Sequence, residues 1–323
     1  MDTQRSRFVG TVIALACLAG LVCHSAWAAP PAAASSAADS YTGPTLIRST
    51  DATADTPPAK PANDSDGSGR WLMEMVNPDT PLAERRKIFA IFEHDAEMGD
   101  YYKQYLVGSI YRLGEQGAVP IVPQDLAKAR RYLSNAAVNG YELAMAKMAE
   151  LELADHHPLD AMVWAQIYGY YTGVFDAKTP RGKTSYYAEL VYRISKWLPK
   201  KQMPTVVDDL NQFIANYDTH VRACSKAIEE HYSRQSLART YAPSRADHAD
   251  SSLPSGTADY VIAFRPDGTA AQAWLLDAVP TPEVGHSMHE IAIRSRVTPD
   301  PGTKTLRYAS MPVTFISGRY RTP

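Results

Sequence analysis

His286 and His289, three residues apart and followed by Glu290, have the side-chain types that metal or acid/base chemistry needs. Positions i and i+3 share a helix face, so the two imidazoles could lie near one another. The order is not His-Glu-x-x-His and no third ligand is evident, so the pair reads as surface histidines. Asp155-His156-His157 stands at a helix junction before Pro158, where polar residues are expected in any case. Gly182-Lys183-Thr184 mimics the end of a phosphate-binding loop, but Ala177 occupies the place of its first glycine and no strand precedes it. Glu229 and Glu230 are adjacent, and Glu150 and Glu152 point to different sides of a helix, so neither pair converges on one proton. Cys224 falls in an apolar helical pattern and reads as a small buried hydrophobe rather than a nucleophile. No residue takes a catalytic, cofactor-binding or metal-binding assignment, and the expectation is a protein that is not an enzyme and carries no cofactor.

The elements around these residues begin with an export signal. Arg5 and Arg7 precede an apolar run from Phe8 to about Val22, and a small-residue site ends Ala26-Trp27-Ala28. This is the plan of a secretory signal peptide over residues 1–28, cleaved before Ala29. Taken through Ala29 the segment is also long enough for an uncleaved anchor, since roughly 17 to 25 apolar residues span a bilayer. Cys17, after Leu15-Ala16, gives a third reading as a lipidation site, although Ala14 stands where a leucine is usual. Cleavage would leave Cys224 alone and without an internal disulfide partner. Residues 29–69, rich in Ala, Ser, Pro, Asp and Thr, bury too little apolar surface to offset chain entropy and read as a disordered tether.

Lysine and arginine number 33 against 35 acidic residues, with no long basic run. That balance argues against nucleic acid as the main partner and gives no sign of a strongly charged membrane-binding surface.

From Leu82 the apolar residues fall at helical spacing, and helices are predicted at about 124–138, 142–155, 158–172, 184–197 and 203–234. Pro120, Pro123, Pro158, Pro180, Pro199 and Pro204 punctuate them. An internal repeat is legible. Gly99 precedes a helix containing Leu106-x-Gly108-x-x-Tyr111, and Gly140 precedes the next such helix. The second helix, Asp125-x-x-Lys128-Ala129-x-x-Tyr132-x-x-x-Ala136-Ala137, is echoed by Asp160-Ala161-x-x-Trp164. Helix pairs of this kind bury their faces only against neighbours. The stretch 99–173 resembles tandem Sel1-like repeats, relatives of the tetratricopeptide hairpins, at these positions and at Gly114. It departs in a longer loop from Glu115 to Val122 and in a second unit that offers Met148, Glu150 and Leu153 in place of the Leu-Gly-Tyr signature. The resemblance implies a helical scaffold at 70–240 that binds other proteins, with Tyr111, Tyr132 and Trp164 in its core. Tyr168, Tyr170, Tyr171, Tyr186, Tyr187 and Tyr192 are candidates to line a groove.

A linker at 241–256 separates this region from a domain at 257–323. Tyr260, Ile262 and Phe264 alternate to one face as a strand does, Pro266-Asp267-Gly268 makes a turn, and Ala271, Ala273 and Leu275 continue a hairpin. A helix from Pro282 to about Arg296 and a last strand through Met311, Val313 and Phe315 complete a β-β-α-β unit. The expected fold class is therefore an all-α helical-repeat region followed by a small α+β domain. Ala258 to Gly268 resembles the opening hairpin of the C-terminal domain of the TonB family of energy transducers, and Pro312-Val313-Thr314-Phe315 resembles its closing strand. Thr298-Pro299 stands near that family's aromatic-x-Pro, while its Tyr-Pro before the first strand has no counterpart and Asp277-Ala278-Val279 replaces a Ser-Ser-Gly. The family's anchor motif Ser-x-x-x-His is absent as well, because Gly20 stands four residues before His24.

The function expected from these features is a non-catalytic periplasmic interaction or scaffold protein of the bacterial envelope. The alternatives are a TonB-like energy-transduction component for outer-membrane transport, and an envelope enzyme whose site is not recognised. The expected partner is an envelope protein or peptide, and not nucleic acid. Membrane association, peripheral or anchored, and oligomeric state are left open, as is an inner-membrane anchor in place of free periplasmic residence.

Overall fold

A computed structural model describes residues 68–174, 181–234, 254–302 and 304–315. The signal, tether and most of the linker readings lie outside these residues.

The chain forms a region of stacked helices followed by a small β-β-α-β domain. The helices are α1 Ser68–Val76, α2 Leu82–Glu97, α3 Tyr101–Leu113, α4 Leu126–Val138, α5 Glu142–Ala154, α6 Pro158–Thr172, α7 Arg181–Ser195 and α8 Met203–Arg234. Their ends follow local chemistry. Asp100 caps α3 by accepting from the Tyr102 and Lys103 amides, each at 3.0 Å, and Asp125 caps α4 through the Lys128 amide at 2.9 Å. Pro158 opens α6 at a position where its missing N–H costs nothing, and Gly173 closes it in the left-handed region.

Successive helices pack on one another, α3 on α4, α4 on α5 and α5 on α6. Gly108 lets α3 and α4 approach, since a Cβ there would lie 2.8 Å from the Leu133 side chain. Tyr111, Tyr132 and Trp164 are core residues as expected, and so are Tyr168, Tyr186 and Tyr187, which therefore do not line an open groove. α5 is the central helix. Every residue from Ala144 to Glu152 is buried, so it has no polar face, and its charged residues must find partners inside the protein.

The three strands are β1 Gly256–Phe264, β2 Ala270–Val279 and β3 Arg307–Phe315, all antiparallel in the order β2-β1-β3. The hairpin turn falls at Pro266-Asp267-Gly268, closed by Gly268 N–H donating to Arg265 O at 2.9 Å. β1 is buried along its whole length, not on one face alone. Ala258, Tyr260, Ile262 and Phe264 pack with Val284, Met288 and Ala292, whereas Val261 and Ala263 belong to the core of the stacked helices. The sheet thus has helices on both faces. The single helix expected at 282–296 is two short ones, α9 Pro282–Ser287 and α10 His289–Ile293. They meet at Met288, whose amide bonds Gly285 O in a tighter turn and whose side chain is wholly buried.

Candidate functional site

α3 carries Tyr105, Ser109 and Arg112 along one face, at the i, i+4 and i+7 spacing of a helix stripe. All three turn towards α5 and the sheet. On the sheet, a register shift after Asp259 places it directly opposite Asp277 of β2, so two carboxylates lie side by side on the face that meets the helices. Lys147 of α5 enters between them. Its Nζ is 2.7 Å from Asp259 Oδ2 and 2.8 Å from Asp277 Oδ2, and it donates to Ser109 Oγ at 2.8 Å. It also lies 4.2 Å from the centre of the Tyr105 ring. Arg112 Nη2 donates to Asp277 Oδ1 at 2.7 Å and to Ala278 O at 2.9 Å, and the Tyr105 hydroxyl donates to Asp259.

The side chains of Lys147, Asp259 and Asp277 are each only 2% exposed. Two formal positive charges face two negative ones. Burial alone would raise the Asp277 carboxyl, but the Arg112 guanidinium and the Lys147 ammonium outweigh it and hold the carboxyl below its ordinary value. Tyr105 moves the other way. Burial, then the Asp259 charge, lift its phenol well above the usual value, so it remains a donor. The cluster is a sealed ionic joint between α3, α5 and the sheet. It gives a solvent-borne substrate no way in, and what it does chemically is fix the orientation of the helices against β1 and β2.

The other two buried charges of α5 are also paired. Glu150 binds Arg193 of α7, with Nη1 to Oε2 at 2.8 Å, and accepts from the Tyr186 hydroxyl at 2.9 Å. One helical turn further along α7, Glu189 accepts from the Ser255 amide at 2.8 Å, which pins the start of β1. Glu152 takes a forked contact from Arg130 of α4, at 2.8 and 3.1 Å. Glu150 and Glu152 do serve different sides of the helix.

Near Glu152 the structure gathers residues from the Asp155-His156-His157 junction. His157 Nδ1 is 3.1 Å from Glu152 Oε2, Arg130 also reaches Asp155, and ligand atoms of Glu152, His157 and Asp160 lie within 4.8 Å of one another. Arg130 is the cation that this arrangement is built around, with both of its contacts to Glu152 in place. Asp160 contributes no hydrogen bond from its buried Oδ1, and burial, then the Glu152 charge, push its carboxyl up to about 6.

A raised carboxyl means that the folded state binds the proton more tightly. Its penalty is absent below the unfolded value near pH 3.9 and fully present above about pH 6. Asp160→Asn is therefore expected to stabilise the protein at pH 7 by about 1 kcal/mol, a figure discounted for partial exposure. It should gain nothing at pH 4. Urea midpoints at the two pH values check this.

The remaining sequence candidates stay apart. His286 and His289 are exposed on the two short helices, His289 Nε2 lies 3.2 Å from Ala273 O, and Glu290 pairs with Arg294. Cys224 is 1% exposed, and burial pushes its thiol up to about 11. Gly182, Lys183 and Thr184 fall in the first turn of α7 and not in a strand-to-helix loop. Lys147, Arg112, Asp259 and Asp277 were not singled out by sequence reasoning. Their signal was a lysine inside the otherwise apolar run Leu143 to Ala149 and an aspartate beside the first predicted strand, whereas Asp277 lies beyond the expected end of the second strand, which the structure extends to Val279.

The chain matches no protein-family model, no curated protein and no solved structure.

Proposed function

We propose that the protein is a non-catalytic interaction protein of the bacterial envelope, exported or membrane-anchored through its N-terminal segment, whose helical stack and sheet act as one rigid docking body. The observation that carries this reading is the use of the interior charges. Each charged residue of the central helix α5 between Lys147 and Glu152 is spent on joining elements: Lys147 on the sheet, Glu150 on α7 and Glu152 on α4. Such a body suits presentation of surfaces to a partner. Stacked helical hairpins offer broad faces for this purpose, and β2 and β3 form the two outer edges of the three-stranded sheet. The repeat pattern at 99–173 and the signal-like N-terminus support the same reading from sequence.

The test is crosslinking in intact cells with a photoreactive residue at Met98, which is 72% exposed. Reproducible capture of one envelope protein, lost when residues 254–315 are deleted, supports the proposal. No captured protein, together with hydrolysis of an envelope substrate by the purified chain, overturns it. The N-terminus of the recovered protein, read from the same sample, separates the cleaved form beginning at Ala29 from an anchored one.

A further inference from the structure

We infer that the turn after α7 is a membrane-contact site, in which Trp197 and the lysines around it seat on an anionic lipid surface. Trp197 is 66% exposed, the most exposed aromatic side chain among the described residues. Its turn is firmly built. The Trp197 and Leu198 amides donate to Ile194 O at 2.9 and 3.1 Å, and Leu198, 6% exposed, is buried in the helical core. Pro199 then holds an extended backbone before the short 3-10 turn Lys200–Gln202, whose last amide donates back to Pro199 O at 2.9 Å. With Leu198 as the inward pin, Lys196, Trp197, Lys200 and Lys201 are all directed outwards and exposed.

The charge of this turn has one sign. No acidic residue occurs from Leu190 to Val207. Among the described residues none of Lys196, Lys200 and Lys201 forms an ion pair, and Lys196 Nζ rests 4.4 Å from the centre of the Tyr192 ring. An indole flanked by exposed ammonium groups fits the headgroup layer of a bilayer. The ring is amphipathic and settles at that depth, while lysine stems lie along apolar surface and keep their charge at the phosphates. Each lysine near an anionic surface strengthens binding about fivefold, so three contribute about a hundredfold. A balanced total charge does not oppose this, because exposed charges farther away than about 8 Å are screened at physiological ionic strength.

The test uses the full chain with vesicles of phosphatidylcholine containing about one-third phosphatidylglycerol, their acyl chains brominated to quench indole fluorescence. The apolar segment near the N-terminus acts alike in all variants, so the readout is confined to position 197, as the difference between the chain and Trp197→Phe. Expected are quenching of Trp197 on the anionic vesicles, little on pure phosphatidylcholine, reversal by 1 M salt, and about a hundredfold weaker apparent affinity for Lys196→Gln/Lys200→Gln/Lys201→Gln. The substituted side chains are exposed, and an unchanged urea midpoint verifies the fold. Absence of Trp197 quenching on anionic vesicles overturns the inference and points the patch to an acidic protein surface. Quenching that the triple variant leaves intact overturns the lipid-charge basis equally.

Discussion

Lys147→Met is expected to cost about 3–5 kcal/mol of folding stability at pH 7, a large part of the roughly 5–15 kcal/mol that holds a typical domain together. Methionine fills similar volume, so the loss is electrostatic. Asp259 and Asp277, opposite one another on β1 and β2 and each 2% exposed, would keep, among the described residues, Arg112 alone as a counter-charge. Their repulsion makes the defect depend on pH in a defined direction. In the natural chain the Asp277 carboxyl is held below its ordinary value, so its contribution is present above the unfolded value near pH 3.9 and is lost as pH falls through the folded value. In the variant Asp277 loses the Lys147 ammonium, one of the two charges that hold its carboxyl down, and retains its proton more readily. The defect should therefore be smaller at pH 4 than at pH 7. Lys147→Met/Asp259→Asn, which leaves the Arg112–Asp277 pair neutral, should recover 1 kcal/mol or more of the loss, within the range of about 0.5–3 kcal/mol for coupling between contacting residues. Urea denaturation of the three chains at both pH values measures this. A loss below about 1 kcal/mol for the single variant would show that the joint contributes little.

The elements of this fold were legible in sequence because they are written in local chemistry. Pro158 and Gly173 bound α6 at Pro158–Thr172, where apolar spacing had predicted 158–172, and the pattern at 203–234 became α8 unchanged. At α4 the two-residue difference, 124 against Leu126, arises because Asp125 is the cap and not part of the helix. The hairpin followed from Pro266-Asp267-Gly268 in the same way. What could not be read was which faces meet. Tyr105 and Asp259 are 154 residues apart and Lys147 and Asp259 are 112 apart. Periodicity says that a face is buried but not what covers it. β1 shows the limit well. Tyr260, Ile262 and Phe264 gave it one inward face, yet Val261 and Ala263 are also apolar, and a strand apolar in both phases is the mark of burial on both sides. The inward aspartates then had no reason in sequence to be where they are, because their reason is a lysine on another element.

Gly140→Ala is the second substitution expected to have a large effect, about 3 kcal/mol, and Gly99→Ala supplies its control. Both glycines follow a helix and precede the next, and both have positive φ, +82° and +99°. An alanine at either place bears the backbone strain of that region, about 1–2 kcal/mol. Their surroundings differ. A Cβ at Gly99 meets nothing within 4 Å, whereas one at Gly140 lies 2.5 Å from the Ser225 amide nitrogen and 2.9 Å from Val221 O. Those are backbone atoms of α8, so no side-chain rotation relieves the contact and the helix itself must move. The Ser225 hydroxyl donates to Gly140 O at 3.0 Å, and His220 Nε2 lies 3.1 Å from Asn139 Oδ1, so a shift of α8 also disturbs these two polar contacts. Helical stacks need their terminal helix seated to cover the last apolar face. The variant should therefore lose hydrogen-exchange protection along α8, beyond what the strain alone produces in Gly99→Ala. Equal losses of stability and of α8 protection in the two variants would mean that this close approach does not hold α8 in place. A larger loss in Gly140→Ala would make the glycine between α4 and α5 the point on which the long helix is seated.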